Sequence, residues 1–265
     1  MKGKLAVCDY RRMQSDLEKR YQQFHASANF IPSLAQRLSS PLLISIFENW
    51  LNSRYKIVVV GQETNGWAYK RNDVEFPYYK WPYPFDICNF QDFKSISAKA
   101  VEAMVHGYRE FDFALHEPRT YRSPFWLAYR QLRNNLENDL AQSILWTNVF
   151  RMDVGGKSVI NNATDQERQS IYNNTSGLLS DEISILNPKA TIFFTGPDYD
   201  EAIRRQFPGV AFNQFLRYEL RKVAKLTHKN LPQCTIRTYH PGHLRRSRQW
   251  EIITDIESFV RNNVQ

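Results

Sequence analysis

A chain of 265 residues, 42% hydrophobic and 14% aromatic, is too apolar for a disordered protein. It is also long enough for one domain whose core needs neither disulfides nor metals. Its three cysteines, Cys8, Cys88 and Cys234, form no C-x-x-C pair, which excludes a zinc ribbon and a four-cysteine iron–sulfur site. The net charge of +8 and pI of 9.3 favour anionic partners, nucleic acid first among them, although charge alone fits an inert basic surface better.

The N-terminal apolar run Leu5-Ala6-Val7-Cys8 is too short for a signal-peptide core. No stretch approaches the roughly 18–20 apolar residues of a membrane span, so a cytoplasmic location is expected. Residues 13–28 carry Met13, Leu17, Tyr21 and Phe24 on one helical stripe. Residues 32–50 repeat leucine, isoleucine and phenylalanine near the helical period after Pro32, which suits a first helical position. Residues 55–60, 143–148, 190–195 and 234–239 are short, continuous apolar runs suited to strands buried on both faces of a parallel sheet. The last contains Arg237 and is expected nearest an edge. Helical patterns fill the intervals at 94–113, 124–140, 165–186, 198–206 and 217–226, and 249–260 closes the chain. Thr164 and Glu167 have capping-box spacing. The expectation is a single α/β domain over residues 1–265, with residues 1–54 as a helical segment packed on it. Its core is a three-layer α/β/α sandwich around a four-stranded parallel sheet.

Ligands of open α/β sheets gather outside the carboxyl ends of the strands. The first strand leads into Gly61-Gln62-Glu63-Thr64-Asn65-Gly66-Trp67. Its glycines permit a tight turn, and Glu63 and Asn65 have the chemistry to orient a water or a polar ligand. Asn148, at the end of the second, either reads a ligand or heads an Asx-type turn. The fourth leads into His240-Pro241-Gly242-His243-Leu244-Arg245-Arg246-Ser247-Arg248. Here His240 is either an acid or electrophile or a structural histidine. The arginines suit a phosphate backbone or a solvated turn. Residues 68–92 gather eight aromatic residues, Phe76, Tyr78, Tyr79 and Trp81 among them, as a ligand-contacting loop or a structural lid. There is no P-loop, G-x-G-x-x-G, G-x-S-x-G or zinc-deaminase signature. The histidines show no metal-ligand spacing, so neither metal nor cofactor is expected.

In order, VVVGQETNGW, ILWTNVFRMD, ATIFFTG and IRTYHPGHLRRSR resemble the uracil-DNA glycosylase superfamily, over about residues 55–250. The resemblance implies that family's fold and a base-flipping enzyme that hydrolyses the N-glycosidic bond of uracil or another damaged base in DNA. It implies roles by position. Gly61 and Gln62 begin the first motif, with Glu63 in place of the aspartate that orients water and Asn65 in place of the tyrosine that blocks thymine. Phe76 would stack on the flipped base, in competition with Tyr78, Tyr79 and Trp81. Asn148 would read the pyrimidine edge, His240 stabilise charge on the departing base, and Leu244 fill the vacated stack. Arg245, Arg246 and Arg248 would grip phosphate. The partner is then DNA, met by a monomer without a cofactor. The chain departs from the pattern at Glu63, at Thr64 where proline is usual, and at Gly242 and His243, which replace serine and a second proline. The competing reading is a catalytically inactive nucleic-acid or nucleotide binder on the same fold. A third is a small-molecule hydrolase or transferase on that scaffold.

Overall fold

The four apolar runs pair side by side in the structure, a computed structural model that describes residues 2–67, 82–113 and 122–264, with side chains for 10–67, 82–111 and 122–264. They form β1 (Ile57–Gly61), β2 (Ile144–Asn148), β3 (Ala190–Phe194) and β6 (Cys234–Thr238), all parallel and all buried. The sheet continues beyond them. β4 (Ala211–Gln214) and β5 (Val223–Thr227) add antiparallel to β6, giving a six-stranded mixed sheet of order β2-β1-β3-β6-β5-β4. The helix expected at 217–226 and the purely parallel, four-stranded sheet are therefore corrected. Pairing with β6 satisfies backbone groups that an open edge would expose, and this tertiary gain outweighs local pattern. It also moves β6 inside the sheet. Arg237 is buried rather than near an edge, paired with Asp200 at 2.9 Å and donating to the carbonyls of Leu220 and Arg221.

The helical expectations divide in the same way. α1 (Lys2–Ser27) is one continuous helix, but 32–50 is helical only at α2 (Pro32–Ala35) and α3 (Glu48–Asn52). Pro41 explains the break: it offers no N–H and pushes Ser40 out of the helical region. The intervening chain instead hydrogen-bonds to residues 151–153 and to Trp67. α4 (Phe90–Ser95), α5 (Lys99–Phe113) and α6 (Pro124–Glu137) follow β1. After β2 come α7 (Val159–Asn162), α8 (Asp165–Thr175) and α9 (Leu178–Leu186). Gly177, at φ 71°, splits the expected single helix 165–186 into the last two. The Thr164–Glu167 capping box is present with both hydrogen bonds. α10 (Asp200–Gln206), α11 (Pro241–Arg246) and α12 (Glu251–Asn263) complete the order.

Register assigns the faces, because directly paired residues of parallel strands point to the same side. Trp146, Asn148, Gly61, Ile192 and Phe194 share one face, where Trp126 and Phe125 of α6 meet Trp146 and Phe194. Thr147 and Arg237 lie on the other, against α9 and α10. That second face holds a buried polar set: Arg151 pairs with Glu182 and Thr147, and Tyr21 of α1 donates to Glu182 at 2.7 Å. The fold is thus α/β, with helices on both sides of a mixed sheet. Among the described residues, no helix is long and apolar enough to cross a membrane.

Candidate active site

The carboxyl ends of β1, β2, β3 and β6 meet on the α6 face. Gly61 pairs with Asn148, and the asparagine side chain folds over it: a Cβ on residue 61 would lie 2.3 Å from Asn148 Oδ1. Asn148 is nearly buried, and among the described residues none hydrogen-bonds its side-chain amide. That leaves a donor and an acceptor together in a low-dielectric site, an arrangement suited to a ligand edge that offers both. Phe125, in the first turn of α6, lies 3.2 Å from the same Cβ position. Its ring is 6.3 Å from that of His240 and within 14° of parallel to it. Phe125 therefore bridges the ends of β2 and β6. A Gly61→Ala chain is expected to keep its fold by circular dichroism but to displace the Asn148 amide, a change that the Asn148 side-chain amide resonances will report.

His240 caps α11, and its Nδ1 accepts from the Gly242 backbone N–H at 3.1 Å. Burial, with a smaller push from Arg246, lowers its pKa to about 4. The imidazole is then neutral at physiological pH, and because Nδ1 is the acceptor, the proton sits on Nε2 as a donor. Glycine at 242 serves this contact, since a Cβ there would come within 3.1 Å of Nδ1.

The loop after β1 is tied down from several directions. Gln62 donates to the Thr195 carbonyl at 2.8 Å. Asp153, fully buried, accepts from the Thr64 hydroxyl, the Gly66 N–H and the Gly156 N–H, each at 2.7 Å. Glu63 receives the Tyr199 hydroxyl at 2.6 and 2.8 Å, and Tyr199 in turn meets the Ser158 hydroxyl at 3.1 Å. Burial raises the Glu63 pKa to about 7 against the opposing pull of these hydrogen bonds, Tyr199 foremost. The folded protein therefore holds a proton on Glu63 between pH 4.5 and about 7 that the unfolded chain releases. Stability from this group is present below pH 4.5 and is lost as pH rises towards 7. Glu63→Gln, which stays uncharged, is expected to gain stability over the wild type across that window, as melting temperatures at pH 4.5 and pH 8 will show.

The structure thus brings Asn148 and His240 together around Phe125, while the Glu63 carboxyl is held by Tyr199, whose hydroxyl also meets Ser158. Asn65 is exposed on its turn, and Arg245, Arg246 and Arg248 are exposed. Phe76 lies outside the described residues. Leu244 is fully buried in the core, where α11 packs on α6. Phe125, Asp153, Ser158 and Tyr199 were not anticipated from sequence. Only Asp153 sits within a segment, ILWTNVFRMD, that sequence had singled out. Among the described residues, no group of three or more His, Cys, Asp or Glu is placed to hold a metal ion. No family model, curated protein or solved structure matches the chain.

Proposed function

We propose that the protein is a DNA glycosylase that flips uracil or another damaged base out of DNA and hydrolyses its N-glycosidic bond. The observation that carries this reading is an Asn148 amide without a hydrogen-bond partner among the described residues, set with a neutral His240 donor beside one aromatic ring, at the carboxyl ends of parallel strands. Cleavage puts negative charge on the departing base and positive character on the sugar. His240 Nε2–H donates to the base oxygen where that charge collects, without transferring its proton, a contribution of roughly 3–4 kcal/mol. The Asn148 amide reads the edge of the base, and Phe125 supplies an apolar wall. Water adds its hydroxyl to the sugar C1′. Ionised Glu63 offsets the sugar's charge and takes that water's proton, which it returns to solvent, and the departing base anion takes a proton from solvent, so the base ends neutral and free. The order of the motifs and their places at the strand ends support the same family-like fold.

The rate is expected to rise with pH and level off above about 7, following Glu63. Tyr199→Phe removes a hydrogen bond that favours the ionised carboxylate, so the midpoint should move upward. A profile unmoved by Tyr199→Phe would remove Glu63 from the chemistry. The deciding experiment is abasic-site formation on uracil-containing single- and double-stranded DNA. No product above an Asn148→Ala, His240→Ala control would rule out uracil as substrate.

One observation favours a second reading, a binder without turnover. The Glu63 carboxylate is already occupied by Tyr199. That reading requires salt-dependent DNA binding, weakened by substituting Arg245, Arg246 and Arg248, with no base release.

A further inference from the structure

α11 presents a second aromatic feature beside the site. Tyr239, at the exit of β6, and His243, on α11, have ring centroids 4.1 Å apart and planes within 24° of parallel. Gly196 lies against the tyrosine, where a Cβ would sit 3.4 Å from its Cδ1. Gly196 donates its N–H to the Thr238 carbonyl, so the tyrosine rests on backbone fastened to β6. His243 itself is exposed, and its N–H and carbonyl are both committed within the helix, to His240 and Ser247. The imidazole thus stands on a fixed backbone with a ring beneath it and solvent around it. On the same short segment, Arg245, Arg246 and Arg248 are exposed, with Arg246 one helical turn from His243. An exposed ring followed by a run of exposed cations matches the chemistry of a nucleic-acid strand, since bases stack without regard to sequence and phosphates need cations.

We propose that His243, backed by Tyr239, is a stacking platform for an unpaired base of a nucleic-acid strand whose phosphates run along Arg245, Arg246 and Arg248. This rests on the nucleic-acid part of the function proposed above but not on base release, so turnover and platform succeed or fail separately.

The test is fluorescence titration of a single-stranded oligothymidylate carrying one 2-aminopurine. The full-length wild type is expected to quench the probe. His243→Ala should bind about tenfold more weakly, the cost of one lost base–ring stack, and lose the quenching. His243→Phe should retain both. Arg245→Gln with Arg248→Gln should flatten the salt dependence and keep the quenching. The proposal is overturned if His243→Ala binds and quenches like the wild type. A second measurement needs no variant to fold: the wild type should prefer the oligothymidylate about tenfold over an abasic oligomer of equal charge. Equal affinity for the two, or no binding to either, also overturns it.

Discussion

On the proposed reading, replacing His240 with alanine is expected to slow base release by about 10²–10³-fold, the usual cost of removing one preorganised donor to developing negative charge. The effect should fall on kcat more than on KM, because the charge exists only as the bond breaks. Two features of the site make the donor effective. Burial keeps the imidazole uncharged, and the Gly242 N–H fixes which nitrogen carries the proton. His240→Gln retains an N–H and should recover part of the loss, whereas a purely structural histidine would show no such rescue. Asn148→Ala is expected to cost a comparable factor, with a larger share in KM, since it removes contacts made before the bond breaks. The two losses should not add, because on that reading both groups act on one base. Single-turnover kinetics on the same uracil-containing strand separate these outcomes.

Glu182→Ala is expected to have the largest effect on stability. Arg151 and Glu182 are both essentially without solvent exposure, and each is the other's charge partner. Removing the carboxylate strands a buried guanidinium, at a cost of about 3–5 kcal/mol. Against a total stability of about 5–15 kcal/mol this is a large fraction. The melting temperature should fall by roughly 10 °C for a chain of this size. Replacing Arg151 and Glu182 together by apolar residues of similar volume should recover most of the loss, because burying the pair carries a desolvation cost of its own. Urea titration of the two single variants and the double variant closes the cycle. The consequence reaches the site as well, since Arg151 lies two residues before Asp153, which holds the loop carrying Glu63.

Much of this architecture was legible in local pattern. Residues 57–60 and 190–194 are continuous, largely β-branched or aromatic runs, and a strand buried on both faces suits them. The two antiparallel strands were not legible. Lys225 stands mid-strand with its ammonium 5.6 Å from the Phe259 ring, a contact that exists only once α12 is in place. The break near residue 40 had a readable signal in Pro41, which the helical spacing of the surrounding leucines masked. Gly61, Glu63, Asn148 and His240 stand out in the sequence because each ends a strand or lies within two residues of its end. The residues that support them were hidden by distance along the chain: Glu63 and Tyr199 are 136 positions apart. Phe125 follows Pro124 in a helix with no motif of its own. Leu244 matches a motif position, and its burial, decided by how α11 packs on α6, has no local signal.

The most direct measurement is the release of free base under single-turnover conditions at pH 8. A single-stranded oligonucleotide with one uracil is incubated with the wild-type protein and, in parallel, with the Asn148→Ala, His240→Ala double variant. Free uracil and abasic strand should appear in equal amounts with the wild type, and at least 10²-fold more slowly with the double variant. An intact oligonucleotide with the wild type, or equal release by both proteins, would contradict the assignment of Asn148 and His240 to base excision from this substrate.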